Sequence, residues 1–320
     1  MKNKTTRNSF LLVLTALIWG IAFVAQSEGG DAIGPYSFNC IRFLIGGFVL
    51  IPVIKLLDQL GYTGKKSATP ESKKTLLKGG VICGIILCIA SNLQQAGIYM
   101  GCPAGKAGFL TACYIILVPI LGLFLKKKCS IRVWIGIILT VIGLYLLCLN
   151  ETLTLQPQDI LVLICALCFA FHILAVDHFT PLVEGIRMSC IQFWVAGCIT
   201  AVPMLLFEMK PFSGNLFIWG SAFQTSDAWI PLLYAGILSC GVAYTLQIIG
   251  QEDVNPAVAS LLMSLESVFS VLAGFLLLHQ KLSMRELSGC AFIFAAVILA
   301  QLPVKEKSHP KKENDKGKIK

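Results

Sequence analysis

Charge is what this 320-residue sequence has least of: Asp, Glu, Lys and Arg make up 13% of it, where a soluble globular domain usually carries about 25%. That scarcity excludes an ordinary soluble enzyme. Recognisable catalytic motifs are missing as well. No GxxxxGK[ST] loop occurs, so the chain itself is not expected to hydrolyse ATP, and HExxH, GxSxG and a dinucleotide glycine fingerprint are also absent. Four histidines, of which only His172 falls deep within an apolar run, offer little for a haem pair or a membrane metalloenzyme. No cofactor and no metal site are expected.

Apolar residues are what the sequence does have, at 56%. Crossing roughly 30 Å of hydrocarbon takes about 20 of them in helical form, and ten such stretches can be read. They run 10–27, 36–57, 76–97, 106–125, 133–149, 160–179, 188–207, 229–249, 256–278 and 287–302. What remains suffices for connections and a basic tail at 303–320, with no room for a soluble catalytic domain. The first run follows Lys2, Lys4 and Arg7 as a secretory signal would, but it is long, contains Trp19 and has Phe23 near Ala25, where a cleavage site wants a small residue. A retained helix is expected.

The basic residues are distributed unevenly, which orients the chain. With a cytoplasmic N-terminus, 21 of the 26 Lys and Arg fall on the cytoplasmic side, four (Lys106, Lys210, Lys281 and Arg285) fall outside, and Arg42 lies within a span. The positive-inside rule therefore places both termini in the cytoplasm of a cell membrane. The net charge of +9 is read as affinity for anionic lipid headgroups and not for nucleic acid, because the tail Lys305–Lys320 follows the last span and lacks aromatics. Most of the thirteen cysteines sit singly in apolar runs, where a free thiol behaves as a small hydrophobe. Cys165 and Cys168 have CxxC spacing without the second pair that a tetrahedral site needs.

The chain also repeats itself. An offset of 153 aligns Leu93-Gln94 with Leu246-Gln247, Gly97 with Gly250, Pro103-Ala104 with Pro256-Ala257, and Lys128, Ser130 and Arg132 with Lys281, Ser283 and Arg285. An offset of 150 aligns Cys40-Ile41-Arg42-Phe43 with Cys190-Ile191-Gln192-Phe193 and Gly47 with Gly197. The expected fold is an all-α membrane protein of ten transmembrane helices in two inverted five-helix repeats, 1–150 and 151–302. An odd number of spans per half makes the second half enter the membrane from the opposite side. Two such halves can rock about a central site and open it to each side in turn.

An ionisable group at the bilayer centre costs at least about 2.5 to 3.5 kcal/mol on insertion scales, so it needs a partner or a cavity. Glu266 is the only acid deep in a run, ten residues after Pro256, which is about 15 Å along a helix. It is the first candidate site residue. Two roles are open to it: a carboxyl that binds and releases a coupling proton, or a carboxylate kept ionised by a nearby cation. Arg42 is the only base clearly inside a run and its repeat mate is Gln192; it either binds an anionic group, pairs with an acid or snorkels to the outer interface. His172, Trp19, Gln94, Tyr114, Gln192 and Gln247 complete the candidates for binding substrate or proton. Each has a plainer reading as packing or as interhelical hydrogen-bond glue, as have Asn39, Asn92, Gln95, Thr111, Trp194 and Tyr244.

Several stretches carry a family resemblance: Leu17-Ile18-Trp19-Gly20 with Phe23-Val24-Ala25-Gln26, Gln94-Gln95-Ala96-Gly97, Ala104 through Thr111, Tyr114 through Pro119, and Ser264 through Phe269 followed by Leu282-Ser283 and Gly289. Over about residues 10–302 the sequence resembles the EamA-type branch of the drug/metabolite transporter superfamily. The resemblance implies a ten-helix secondary transporter, commonly an exporter of metabolites or toxic compounds in the bacterial inner membrane. Two departures stand out. Lys127 and Gln280 occupy positions where members often have Glu, and Ser267 stands where a proline commonly follows the Glu, so a kink is not assumed there. The expected function is proton-coupled export of a small molecule by a monomer or homodimer in the lipid bilayer. The alternative is a membrane-embedded enzyme acting on a lipid or isoprenoid intermediate, with Glu266 and His172 as general acid and base; a channel is the third option.

Overall fold

A computed structural model describes residues 2–61, 69–127, 129–148, 156–210, 216–277 and 283–301. The predicted tail at 303–320 and Gln280 lie outside these residues. The first half holds α1 (Lys2–Ile33), α2 (Pro35–Gln59), α3 (Pro70–Tyr99), a segment divided into α4 (Ala104–Ala112) and α5 (Tyr114–Phe124), and α6 (Ile131–Cys148). The second holds α7 (Pro157–Phe179), then α8 (Gly185–Pro203) continuing as a π-helical stretch Met204–Met209. After a short α9 (Leu216–Ser221) comes one segment made of α10 (Ser226–Leu233), a π-helical stretch Tyr234–Tyr244 and α11 (Thr245–Gly250). Finally, α12 (Pro256–Met263) and α13 (Leu265–Leu277) form a divided segment, followed by α14 (Met284–Gln301).

Among the described residues there is no strand, eight segments are long and apolar enough to cross a membrane, and Ile131–Leu146 is a shorter apolar helix. Of the ten spans expected, eight are matched by segments of membrane-crossing length and composition among the described residues, and α6 and α14 stand at the places of the other two. Their starts follow from local sequence. Proline opens α2, α3, α7 and α12, where its missing N–H costs nothing. Thr69 accepts from the Ser72 amide, Asn255 accepts from the Ala257 amide at 3.0 Å, and Gln156 forms a capping box with Asp159.

The packing of equivalent helices shows the inversion. The Cys40 thiol of α2 donates to the Gly197 carbonyl of α8 at 3.4 Å, and the Cys190 thiol of α8 donates to the Gly47 carbonyl of α2 at 3.6 Å. These two contacts interconvert under the offset of 150, and they require α2 and α8 to run antiparallel. Likewise Gly136 of α6 faces Ala296 of α14 while Gly143 faces Gly289, so this equivalent pair is antiparallel too. Gly97 rests on Gln158 and Val162 of α7, and Gly250 rests on Asn8 and Leu12 of α1. The glycines that align in the repeat are the points where helices from opposite halves touch.

Two segments depart from the continuous spans expected. The fourth breaks at Cys113 and the ninth at Ser264. Neither break sits at a proline. At Ser264 the side-chain hydroxyl donates back to the Leu261 carbonyl at 2.7 Å, and Ser260 donates to the Ala257 carbonyl at 3.0 Å. These back-bonds compete with the backbone ladder, and the helix is interrupted at Ser264, three residues before Ser267. The eighth segment, expected as a regular helix over 229–249, widens to π geometry shortly after Pro231, which has no N–H to give.

Candidate functional site

The two broken segments meet at the centre of the bundle, since α12 packs on α5 and α13 on α4. Beside the breaks lies a small cavity of about 40 Å³, walled by residues of both halves. Repeat mates supply its frame: Trp19 with Phe169, Phe23 with Ile173, and Gln94 with Gln247. The two charged residues have no such symmetry. Arg42 comes from the first half, where its mate is Gln192; Glu266 comes from the second, where its mate is Cys113.

Glu266 is 3% exposed and sits in the first turn of α13, just past the Ser264 break. A helix start favours negative charge. The Tyr114 hydroxyl, from the first turn of α5, donates to its Oε1 at 3.1 Å. Each broken helix thus contributes one partner of this bond. The backbones approach closely here: a Cβ on Gly20 would lie 2.6 Å from the Phe269 Cβ and 2.7 Å from the Glu266 carbonyl oxygen. Gly20 is what lets α1 lie against α13 at the height of the carboxyl.

Arg42 is 2% exposed and does not snorkel. Its guanidinium lies over the rings of Phe38 (5.6 Å) and Phe43 (5.1 Å), and its Nε has no hydrogen-bond partner. Among the described residues Arg42 makes no ion pair, with Glu266 or any other acid. The wall holds further unsatisfied atoms: the Trp19 indole Nε1, the Gln26 Oε1 and the Gln247 Oε1 are buried without partners. Gln94, by contrast, donates to Thr111 at 2.9 Å. Buried polar atoms are nearly always paired in a folded protein, and four of the twelve unpaired ones among the described residues belong to this wall.

Of the eight residues singled out in the sequence, six line the cavity: Glu266, Arg42, Trp19, Gln94, Tyr114 and Gln247. His172 and Gln192 are instead brought to each other, 3.1 Å apart and fully buried between α7 and α8, with the imidazole edge-on to Tyr244. Asn39 and Asn92 act as glue, joining α2, α3 and α8 through the Ser91 carbonyl and Thr200. Lys127, at the position where relatives often have Glu, pairs with Asp177 at 2.7 Å. Gln26, Ser239, Met263, Phe23, Phe169 and Ile173 line the cavity and were not among the candidates. For Phe23, Phe169 and Ile173 the signal available in the sequence was the repeat itself. No three or more His, Cys, Asp or Glu residues converge among those described.

Known proteins share this architecture. The EamA-like transporter family profile matches residues 7–149 and again 156–302. An uncharacterized transporter from Archaeoglobus fulgidus is 28% identical over 92% of this chain and 85% of its own length. The uncharacterized transporter YoaV of Bacillus subtilis is 22% identical over 90% and 94%. One solved crystal structure superposes with a TM-score of 0.71 at 18% identity, covering 92% of this chain and 96% of that one, which is a likeness of fold. With the family profile fitting each half in turn, the chain belongs to the EamA-like transporter family.

Proposed function

We propose that this multi-pass membrane protein exports a small metabolite or drug-like molecule by alternating access, coupled to protons through Glu266. The observation that carries the reading is the meeting of two helix breaks, one from each half, at a cavity holding a buried carboxyl. Broken helices at the interface of inverted repeats are the usual place for substrate and coupling-ion sites in secondary transporters. A carboxyl shielded from water, with only a phenol as its hydrogen-bond partner, is suited to exchange a proton as the cavity opens to one side or the other. On the charge distribution both termini face the cytoplasm, and the cell membrane is the location that the family resemblance implies. The enzyme alternative draws less support, because His172, its other catalytic group, bonds Gln192 and does not line the cavity with Glu266.

The test is flux in proteoliposomes, with and without a pH gradient, for a panel of amino acids, aromatic carboxylates, nucleosides and cationic drugs. Gradient-dependent flux that vanishes in Glu266→Gln, while size-exclusion behaviour is unchanged, is the expected result. Undiminished, gradient-driven flux in the variant would remove Glu266 from the coupling.

A further inference from the structure

We infer that Arg42 is a carboxylate anchor, and that the substrate is an organic monoanion with an apolar or aromatic body. The inference rests on the reading of the cavity as a substrate site and adds the chemical class.

The starting point is an unpaired cation. A guanidinium is always protonated and always a donor, yet at 2% exposure Arg42 has no acid paired with it, only the faces of Phe38 and Phe43. Ring faces offset part of the cost of taking a cation from water. They do not fill its N–H groups, and Nε is left without a partner. The second observation is independent. The Trp19 indole, which can only donate, is also buried without an acceptor, and it lines the same cavity. The wall also holds unsatisfied acceptors, Gln26 Oε1 and Gln247 Oε1, but these are neutral, and its one acid, Glu266, bonds Tyr114 and forms no ion pair with Arg42. A negative charge paired with the guanidinium is what the site lacks.

Charge and shape narrow the ligand further. One cation balances one anionic charge, so a carboxylate fits and a dianionic phosphate would leave charge uncompensated in an apolar wall. Guanidinium and carboxylate also match as a planar, two-bond pair. Much of the remaining wall is Phe23, Phe169, Ile173 and Met263, which offers no further charge and calls for an apolar body. The Gln26 and Gln247 amides can turn either an oxygen or an NH2 group to a polar substituent on that body. Tyr244, its ring 4.6 Å from that of Trp19, completes an aromatic wall near the anchor.

The test uses a phenyl body with and without a carboxylate: phenylacetate, 3-phenylpropionate, phenethylamine and benzyl alcohol, titrated against purified protein in nanodiscs and read by tryptophan fluorescence and thermal shift. The expected result is binding of the two compounds that carry a carboxylate. Both should weaken at least tenfold in Arg42→Gln and recover in part in Arg42→Lys. Preference for phenethylamine, equal binding of all four, no binding of any, or unchanged affinity in Arg42→Gln would each overturn the proposal. The wild-type series stands by itself if a variant fails to fold. Because binding is read without flux, carboxylate binding with no transport would sink the transport reading and leave the anchor, whereas transport confined to cations would do the reverse.

Discussion

At the scale of single residues, the site is defined by where the two halves differ. Arg42 opposes Gln192 and Glu266 opposes Cys113 in the repeat, so each charged group occurs once in a frame that is otherwise doubled. Glu266 is legible in the sequence because an acid deep in an apolar run is too costly to hold there without a cavity or a partner. Arg42 is legible as a base in a span, but its direction is not. Whether it snorkels or turns inward depends on which face of α2 meets the bundle, and that is decided by contacts with α8 and the π-helical stretch that no local pattern encodes. Gly20 supplies a prediction at this scale. Gly20→Val would drive a branched side chain into the Glu266 carbonyl and the Phe269 side chain, so stability should fall by about 1–3 kcal/mol, as overpacking does. Transport should fall further than stability alone accounts for, since the carboxyl rides on the displaced backbone. Gly220→Ala, where a Cβ meets nothing within 4 Å, is the matched control, and melting curves of the two purified variants decide it.

At the scale of elements, helix starts are the best-written part of the sequence. Pro35, Pro70, Pro157 and Pro256 mark them to within a residue or two. Breaks within helices are not so marked, because Ser264 interrupts its segment through side-chain bonds that serine also forgoes in many straight helices. The start of α2 has an unusual cap: its own N-cap residue is Gly34, and the acceptor is the distant Glu208, whose carboxylate takes the Tyr36 amide at 2.8 Å and the Ser37 amide and hydroxyl. Its repeat mate is Asp58, which pairs with Arg187, the mate of Ser37, in a two-bond contact at 2.6 Å. The α2/α8 pair is thus fastened at both ends by equivalent positions using different chemistry. Glu208→Ala should lower stability by about 1–2 kcal/mol by leaving helix-terminal N–H groups without their anion, and Glu208→Gln should lower it less. Thermal unfolding followed by size exclusion in detergent measures the difference.

At the scale of the whole molecule, the most extensive packing is between halves. α3 lies along α7 and α8, α1 along α13 and the π-helical stretch, α2 along α8, and α6 along α14. A chain divided within 149–155 and co-expressed as two fragments should therefore reassemble, and a tag on the first fragment should retrieve the second in near-equal amount; recovery of the tagged half alone would show that the interface needs the covalent link. The repeat is readable in the sequence as scattered glycine, proline and cysteine identities. Its geometry is not, because inversion is a relation between distant contacts such as Cys40 with Gly197 and Cys190 with Gly47.

Those paired thiol contacts carry a last consequence. A helix frame that repeats in inverted order offers similar backbone to either face of the membrane, and chemistry that runs through it is reversible step by step. Arg42 and Glu266, in the roles proposed for them, set what is carried, but neither points the way. Net direction then belongs to the proton and cargo gradients together, and the same protein turned over in a vesicle should carry its cargo whichever way their sum favours.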